Sequence, residues 1–188
     1  MKLILFLQIL FLIGFSGCDL FTTRQAESPN QVNSNFQNPL TPEDLITNLK
    51  NAIHDGNVQN YLACLADSLF TEKKFSFAPS SSAALQFPAL SQNWDRSDEE
   101  QYFNNIKTYQ MNLSLSNENS SPQGDSLIYL ATYSLSVLFD NTGVPRVYQG
   151  ELRFDMVRDS RGVWVIYFWQ DTKNGDYPSW SELKGRFH

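Results

Sequence analysis

The chain offers few side chains able to do chemistry. Asp67 and Asp171 are its two acids nearest a plausible cavity rim, and Tyr109, Tyr129, Tyr133 and Tyr148 place hydroxyls on apolar strand faces. A carboxylate desolvated in an apolar cavity has a raised pKa and can move protons near neutral pH. The inward strand positions hold no Asp, Glu, His, Lys or Arg. Glu151 and Asp155 fall on the opposite face of their strand with Arg153 between them, the pattern of a solvated face. Asp171, at the end of the last strand, stands where a residue caps or turns the chain. The only two histidines are His54 and His188, and no His, Asp or Glu cluster has metal-ligand spacing. No Gly-x-Ser-x-Gly elbow and no phosphate-cradling glycine loop is present. The expectation is therefore no catalytic residue, no metal and no cofactor.

The elements that would position these residues begin with an address. Lys2 precedes an apolar run from Leu3 to Phe15, interrupted by Gln8 and Gly14, and the small residues Ser16 and Gly17 lead into Cys18. Charge, apolar core and small residues make a secretory signal peptide over 1–17. The run is shorter than the about 20 apolar residues a membrane span needs. With its cysteine directly after the small pair, the segment resembles the lipobox of bacterial lipoproteins, although Phe15 stands where those usually carry Leu. The resemblance implies cleavage before Cys18, acylation of that residue (palmitate being the usual chain), and an anchor in a membrane of the bacterial cell envelope. Asp19 resembles an inner-membrane retention signal of enteric bacteria, a rule that does not transfer to all bacteria, so inner and outer membrane both stay open.

Residues 18–40 read as a disordered tether, rich in Asn, Gln, Ser and Thr and without periodicity. The remainder, 41–188, is the length of one domain. Aromatics are plentiful, 14 Phe, 8 Tyr and 4 Trp, enough for a sizeable core. The net charge is −6, and only Lys73 and Lys74 are adjacent among the basic residues, which argues against nucleic acid as a partner. Cys64, left without a partner if Cys18 carries lipid, sits in an apolar helical stretch and reads as a small buried hydrophobe.

Thr41 predicts a helix N-cap, with Pro42 at the first helical position and Gly56 as the stop. A second helix is predicted over Val58–Ala66, a short strand at Phe75–Pro79, and a third helix capped by Ser97 with Glu100 completing a capping box. From Tyr109 the period changes to two. Tyr109, Met111, Leu113 and Leu115 form one inward set. Leu127 to Phe139 and Tyr148 to Met156 form two more, with Asn117–Asp125 read as a long hairpin loop. Val163 to Trp169 is apolar on both faces. Helices followed by an antiparallel meander indicate an α+β domain.

This order resembles the nuclear transport factor 2-like superfamily, which includes the ketosteroid-isomerase-like and SnoaL-like domains. The residues carrying the likeness are Asp55-Gly56-Asn57 between the helices, Asn60-Tyr61 early in the second, Phe75 and Phe77 before the third, and the closing strand Gly162-Val163-Trp164-Val165-Ile166-Tyr167-Phe168-Trp169. The likeness covers Thr41 to about Asp171 and leaves Ser179–Gly185 outside the pattern. It implies a cone in which N-terminal helices pack on a curved antiparallel sheet around a pocket. Tyr109, Tyr129, Tyr133, Tyr148 and Trp94 are then the candidate pocket residues. Trp94 and Trp180, in polar loops, suit either an exposed binding surface or a lid over the cone's mouth.

Three functions follow as expectations. The first is a non-catalytic domain, anchored by lipid, that binds an apolar small ligand or an envelope protein. The second is an isomerase or dehydratase using Asp67 or Asp171 with a tyrosine. The third is an assembly role through a homodimer, built on Ile128, Leu130 and Leu138 on the outer face of the second strand.

Overall fold

Capping chemistry sets the first helix, α1 (Pro42–Asp55), in a computed structural model that describes residues 35–188. The Thr41 hydroxyl accepts from the Asp44 N–H at 3.2 Å, and the Asp44 carboxylate accepts from the Thr41 N–H at 3.1 Å. Gly56, left-handed at φ 60°, ends it. The expected signal peptide, Cys18 and the tether up to residue 34 lie outside the described residues. The last stretch of that tether does not behave as one. Asn48 clamps Gln37 through its side-chain oxygen and nitrogen at 3.0 and 2.6 Å, the Pro39 carbonyl accepts from Trp164 N–H at 2.8 Å, and Phe36 packs on the core. The folded unit therefore starts at Asn35, ahead of the expected boundary at 41.

The remaining elements are α2 (Val58–Ala63), β1 (Ser76–Ala78), α3 (Ser81–Gln86), a 3-10 turn (Pro88–Ser91), α4 (Arg96–Ile106), β2 (Met111–Gln123), β3 (Ser126–Val137), β4 (Val147–Arg158), β5 (Trp164–Lys173) and α5 (Trp180–Phe187). The strands form one sheet of five in the order β1-β5-β4-β3-β2. Four run antiparallel, and β1 joins β5 in parallel with Ser76 opposite Phe168. The α+β class holds, and the sheet is mixed rather than purely antiparallel.

Alternation places Leu127, Tyr129, Ala131, Tyr133, Leu135 and Val137 of β3 and Tyr148, Leu152, Phe154 and Met156 of β4 in the core. Leu45, Leu49 and Ile53 of α1 and Tyr102, Phe103 and Ile106 of α4 are buried with them. Free Cys64 is fully buried, its thiol pushed up by desolvation, which agrees with a small hydrophobe.

Three local expectations change. Asp95, not Ser97, caps α4: its carboxylate accepts from the Ser97 N–H at 2.7 Å, and Asp98 reaches back to the Asp95 N–H at 2.7 Å. The stretch expected as a loop, 117–125, continues the β2–β3 ladder to Gln123 opposite Ser126. This hairpin end is polar because both faces meet solvent, and Pro122 is tolerated on an edge strand. Tyr109 precedes β2 rather than joining it, and its ring meets Phe139 at 4.7 Å.

Candidate functional site

The largest departure from expectation is α5. Ser179–Gly185, outside the superfamily pattern, ends in a helix whose Trp180, Ser181, Leu183 and Lys184 are all buried. The helix inserts between the sheet and α4, and two polar clusters receive it.

The first cluster centres on Asp171. Its Oδ1 accepts from the Tyr133 hydroxyl at 2.6 Å, and its Oδ2 accepts from the Ser181 N–H at 2.8 Å and from the Ser181 hydroxyl. Tyr133 in turn accepts from the Trp180 N–H at 2.7 Å. These two backbone donors belong to the first turn of α5, whose N–H groups have no intrahelical partner. Ser179 at the N-cap makes no side-chain cap bond, so the tyrosine–carboxylate pair takes the capping role from β3 and β5. Gly150 makes room for it: a Cβ there would lie 2.7 Å from the Tyr133 hydroxyl and 2.5 Å from the Thr172 carbonyl. Burial first, then the Asp171 charge, pushes the Tyr133 hydroxyl well above its ordinary pKa.

The second cluster centres on Glu99. It lies on the α4 stripe of Glu99, Tyr102, Phe103 and Ile106, so the helix turns it inward with its apolar neighbours. Its carboxylate accepts from the Tyr61 hydroxyl and the Trp94 indole N–H, each at 2.7 Å, and from the Lys184 ammonium. Neither Glu99 nor Lys184 is exposed. Burial lowers the Lys184 pKa to about 8, against the opposing pull of Glu99 and Asp171. Trp180 links the clusters, donating its indole N–H to the Tyr102 hydroxyl at 2.9 Å and meeting Trp169 edge-on at 4.6 Å.

Tyr133, Asp171 and Trp94 are thus brought together around α5, with Tyr148 near its Arg186 and Glu182 and Tyr109 near its Phe187, and the remaining candidates lie elsewhere. Tyr129 is buried under α1 and donates to Glu118 at a groove of about 260 Å³ lined also by Glu43, Ile46 and Lys50. Tyr148 is fully buried with its hydroxyl unpartnered. Asp67 bonds the Leu69 N–H at 2.9 Å and faces Arg96 at 3.9 Å in a separate groove. Trp94 and Trp180 are core residues, 2% and 1% exposed, which removes them as a binding surface. The expected outer patch is interrupted: Leu130 sits between Asn119 and Arg153, and Thr132, Ser134 and Ser136 separate it from Leu138.

Sequence reasoning missed Glu99 and Lys184. The signal for Glu99 was its place on the α4 stripe. For Lys184 it was the spacing of Trp180, Leu183, Lys184 and Phe187, a helical face with one charge in it. Among the described residues no cluster of His, Cys, Asp and Glu could hold a metal ion, and no helix is long and apolar enough to cross a membrane.

Three solved structures share the fold. A conserved protein from Planctomyces limnophilus superposes with a TM-score of 0.56 at 9% identity, covering 69% of this chain and 91% of that one. A nuclear transport factor 2-like protein of unknown function from Pseudomonas putida gives 0.50 at 11%, covering 71% and 84%. A protein of the same family from Streptomyces avermitilis, named as a candidate dehydratase, gives 0.50 at 10%, covering 70% and 93%. The chain has the nuclear transport factor 2-like fold. No protein-family model and no curated protein matches it. α5 packs on Tyr133 and Trp94, two of the residues expected to line a pocket.

Proposed function

We propose that the protein is a lipid-anchored component of a bacterial cell envelope whose cone is a non-catalytic binding module closed by its own C-terminal helix. One observation carries the non-catalytic part. Asp171, the one of the two expected catalytic acids that meets a tyrosine hydroxyl, has both oxygens engaged, Oδ1 by Tyr133 and Oδ2 by the first turn of α5. A general base must reach a substrate proton directly or through one water. This one is sealed behind Trp180 and Ser181. The anchor rests on the lipobox-like run ending at Cys18.

Two measurements test the proposal. Native mass spectrometry of the protein extracted from its host membrane is expected to retain a non-covalent ligand or partner. Turnover of a small substrate, abolished by Asp171→Asn in a folded variant, would overturn the non-catalytic reading. In a labelled fatty acid experiment, Cys18→Ser is expected to abolish labelling and move the protein out of the membrane fraction. Processing to the same size with retention in the membrane would overturn the anchor.

The isomerase or dehydratase reading keeps one observation in its favour, the 2.6 Å contact of Tyr133 with Asp171. It requires α5 to leave before either group meets a substrate.

A further inference from the structure

The Lys184 ammonium is held as a ligand is held. Trp169, Phe77, Tyr102 and Trp94 surround it, with ring centroids 3.8, 4.1, 5.3 and 5.7 Å away. Glu99 supplies the counter-charge. Aromatic faces and a carboxylate in a desolvated pocket are the chemistry that recognises alkylammonium ions. All five cage groups belong to the body of the cone. The cation alone comes from α5, which follows an exposed stretch, 174–177, where Gly175 is left-handed at φ 84°.

The plug also fits incompletely. The Trp169 indole N–H, on a ring of the cage, is buried and unpartnered, and so is the Tyr148 hydroxyl, which feels the charges of Arg186 and Glu182 on α5. A buried polar group left unpaired costs about 1–3 kcal/mol. Nor does stability call for charges here, since well-packed apolar residues in place of a buried ion pair are often neutral or stabilising.

We propose that the cage around the Lys184 ammonium is an alkylammonium site which Lys184 occupies in cis, and that an incoming alkylammonium ion takes the cage as α5 swings out on its linker. This rests on the binding-module reading above and names the ligand class. A tethered occupant lowers the apparent affinity for a free one by the fraction of molecules that are open.

The experiment uses the full chain and n-propylammonium, the fragment that Lys184→Ala deletes. In Lys184→Ala the ion is expected to bind saturably, read by tryptophan fluorescence. 1-Propanol, its neutral counterpart, is expected not to bind, and Glu99→Gln added to Lys184→Ala should abolish ion binding. In the wild type at constant ionic strength, the same ion should accelerate amide hydrogen exchange across 180–187, at concentrations about tenfold higher or more. Equal binding of propanol and the ammonium ion would reduce the cage to a plain cavity and overturn the proposal. Wild-type exchange at 180–187 indifferent to the ion would overturn it as well. If Lys184→Ala fails to fold by circular dichroism, the wild-type exchange decides alone. Failure of the ammonium arms leaves the non-catalytic reading standing, whereas substrate turnover removes that reading whatever the ion does.

Discussion

Tyr129 and Tyr133, four positions apart on β3, each anchor a tyrosine–carboxylate pair. Tyr129 and Tyr133 both point inward from β3, and each hydroxyl donates to an acid, Glu118 in one case and Asp171 in the other. Their surroundings are opposite. Glu118 is exposed at the end of the β2 bulge, beside Asn117, which is held at φ 52°, a conformation L-residues rarely adopt. A bulge of this kind re-aims side chains at a strand edge. Asp171 is 1% exposed and bonded to the first turn of α5. The same pair of residue types therefore gives a solvent-facing contact at one end of the sheet and a helix cap at the other. The covering element, not the pair, decides the role.

The sharpest way to break the comparison is at the element that covers Asp171. Lys184→Met leaves Glu99 buried without its cation, and the loss expected for one partner of a buried pair is about 3–5 kcal/mol in urea denaturation. Glu99→Leu combined with Lys184→Met should recover most of that loss. A double variant as unstable as the single one would mean that the pair acts through something other than charge compensation.

Next in size is a pH dependence. The Lys184 pKa is depressed from 10.5 to about 8 in the folded chain, chiefly by burial. Below pH 8 both folded and unfolded chains carry the proton, and the cost of burying the charge is fully present. Between pH 8 and 10.5 the unfolded chain binds more protons than the folded one, so stability rises with pH. Buried Cys64 has a raised pKa and acts oppositely once the unfolded thiol ionises near pH 9, and buried Tyr61, Tyr102 and Tyr133 do the same from about pH 10, which confines the clean window to about pH 8–9. A rise in denaturation midpoint from pH 8 that disappears in Lys184→Met is the expected outcome. A flat profile in the wild type contradicts it.

Asp171→Asn keeps the shape of the cap and removes its charge. The expected cost is about 1–2 kcal/mol, typical of a lost cap, with faster hydrogen exchange concentrated in 180–187. Glu118→Gln is the matching change at the exposed pair and should shift stability by less than about 0.5 kcal/mol. Equal effects at the two acids would end the distinction between them.

Much of the scaffold is legible because its causes are local. The Thr41 box, the left-handed Gly56 and the period-two faces of β3 and β4 each depend on residues a few positions apart. The N-terminus of α4 shows the limit of that reasoning. Asp95 and Ser97 are both good caps two positions apart, and the earlier one with its Asp98 partner starts the helix. The hairpin at 117–125 was hidden for a different reason. Its side chains meet water on both faces, so pairing rests on backbone bonds that leave no mark of alternation.

The site itself was legible only in pieces. Strand faces and loop composition point to Tyr133, Asp171 and Trp94, but nothing local joins them. The sequence by itself determined α1, α2 and α4, the inward faces of the strands and a core rich in aromatic rings, but not α3. The tertiary structure alone decided that Ser179–Phe187 enters that core, that Glu99 meets Lys184 across 85 positions, and that Asp171 caps a helix instead of facing a substrate. The physical reason is that a buried charge is tolerated only beside its partner. That partner is chosen by packing in space, which no spacing along the chain records.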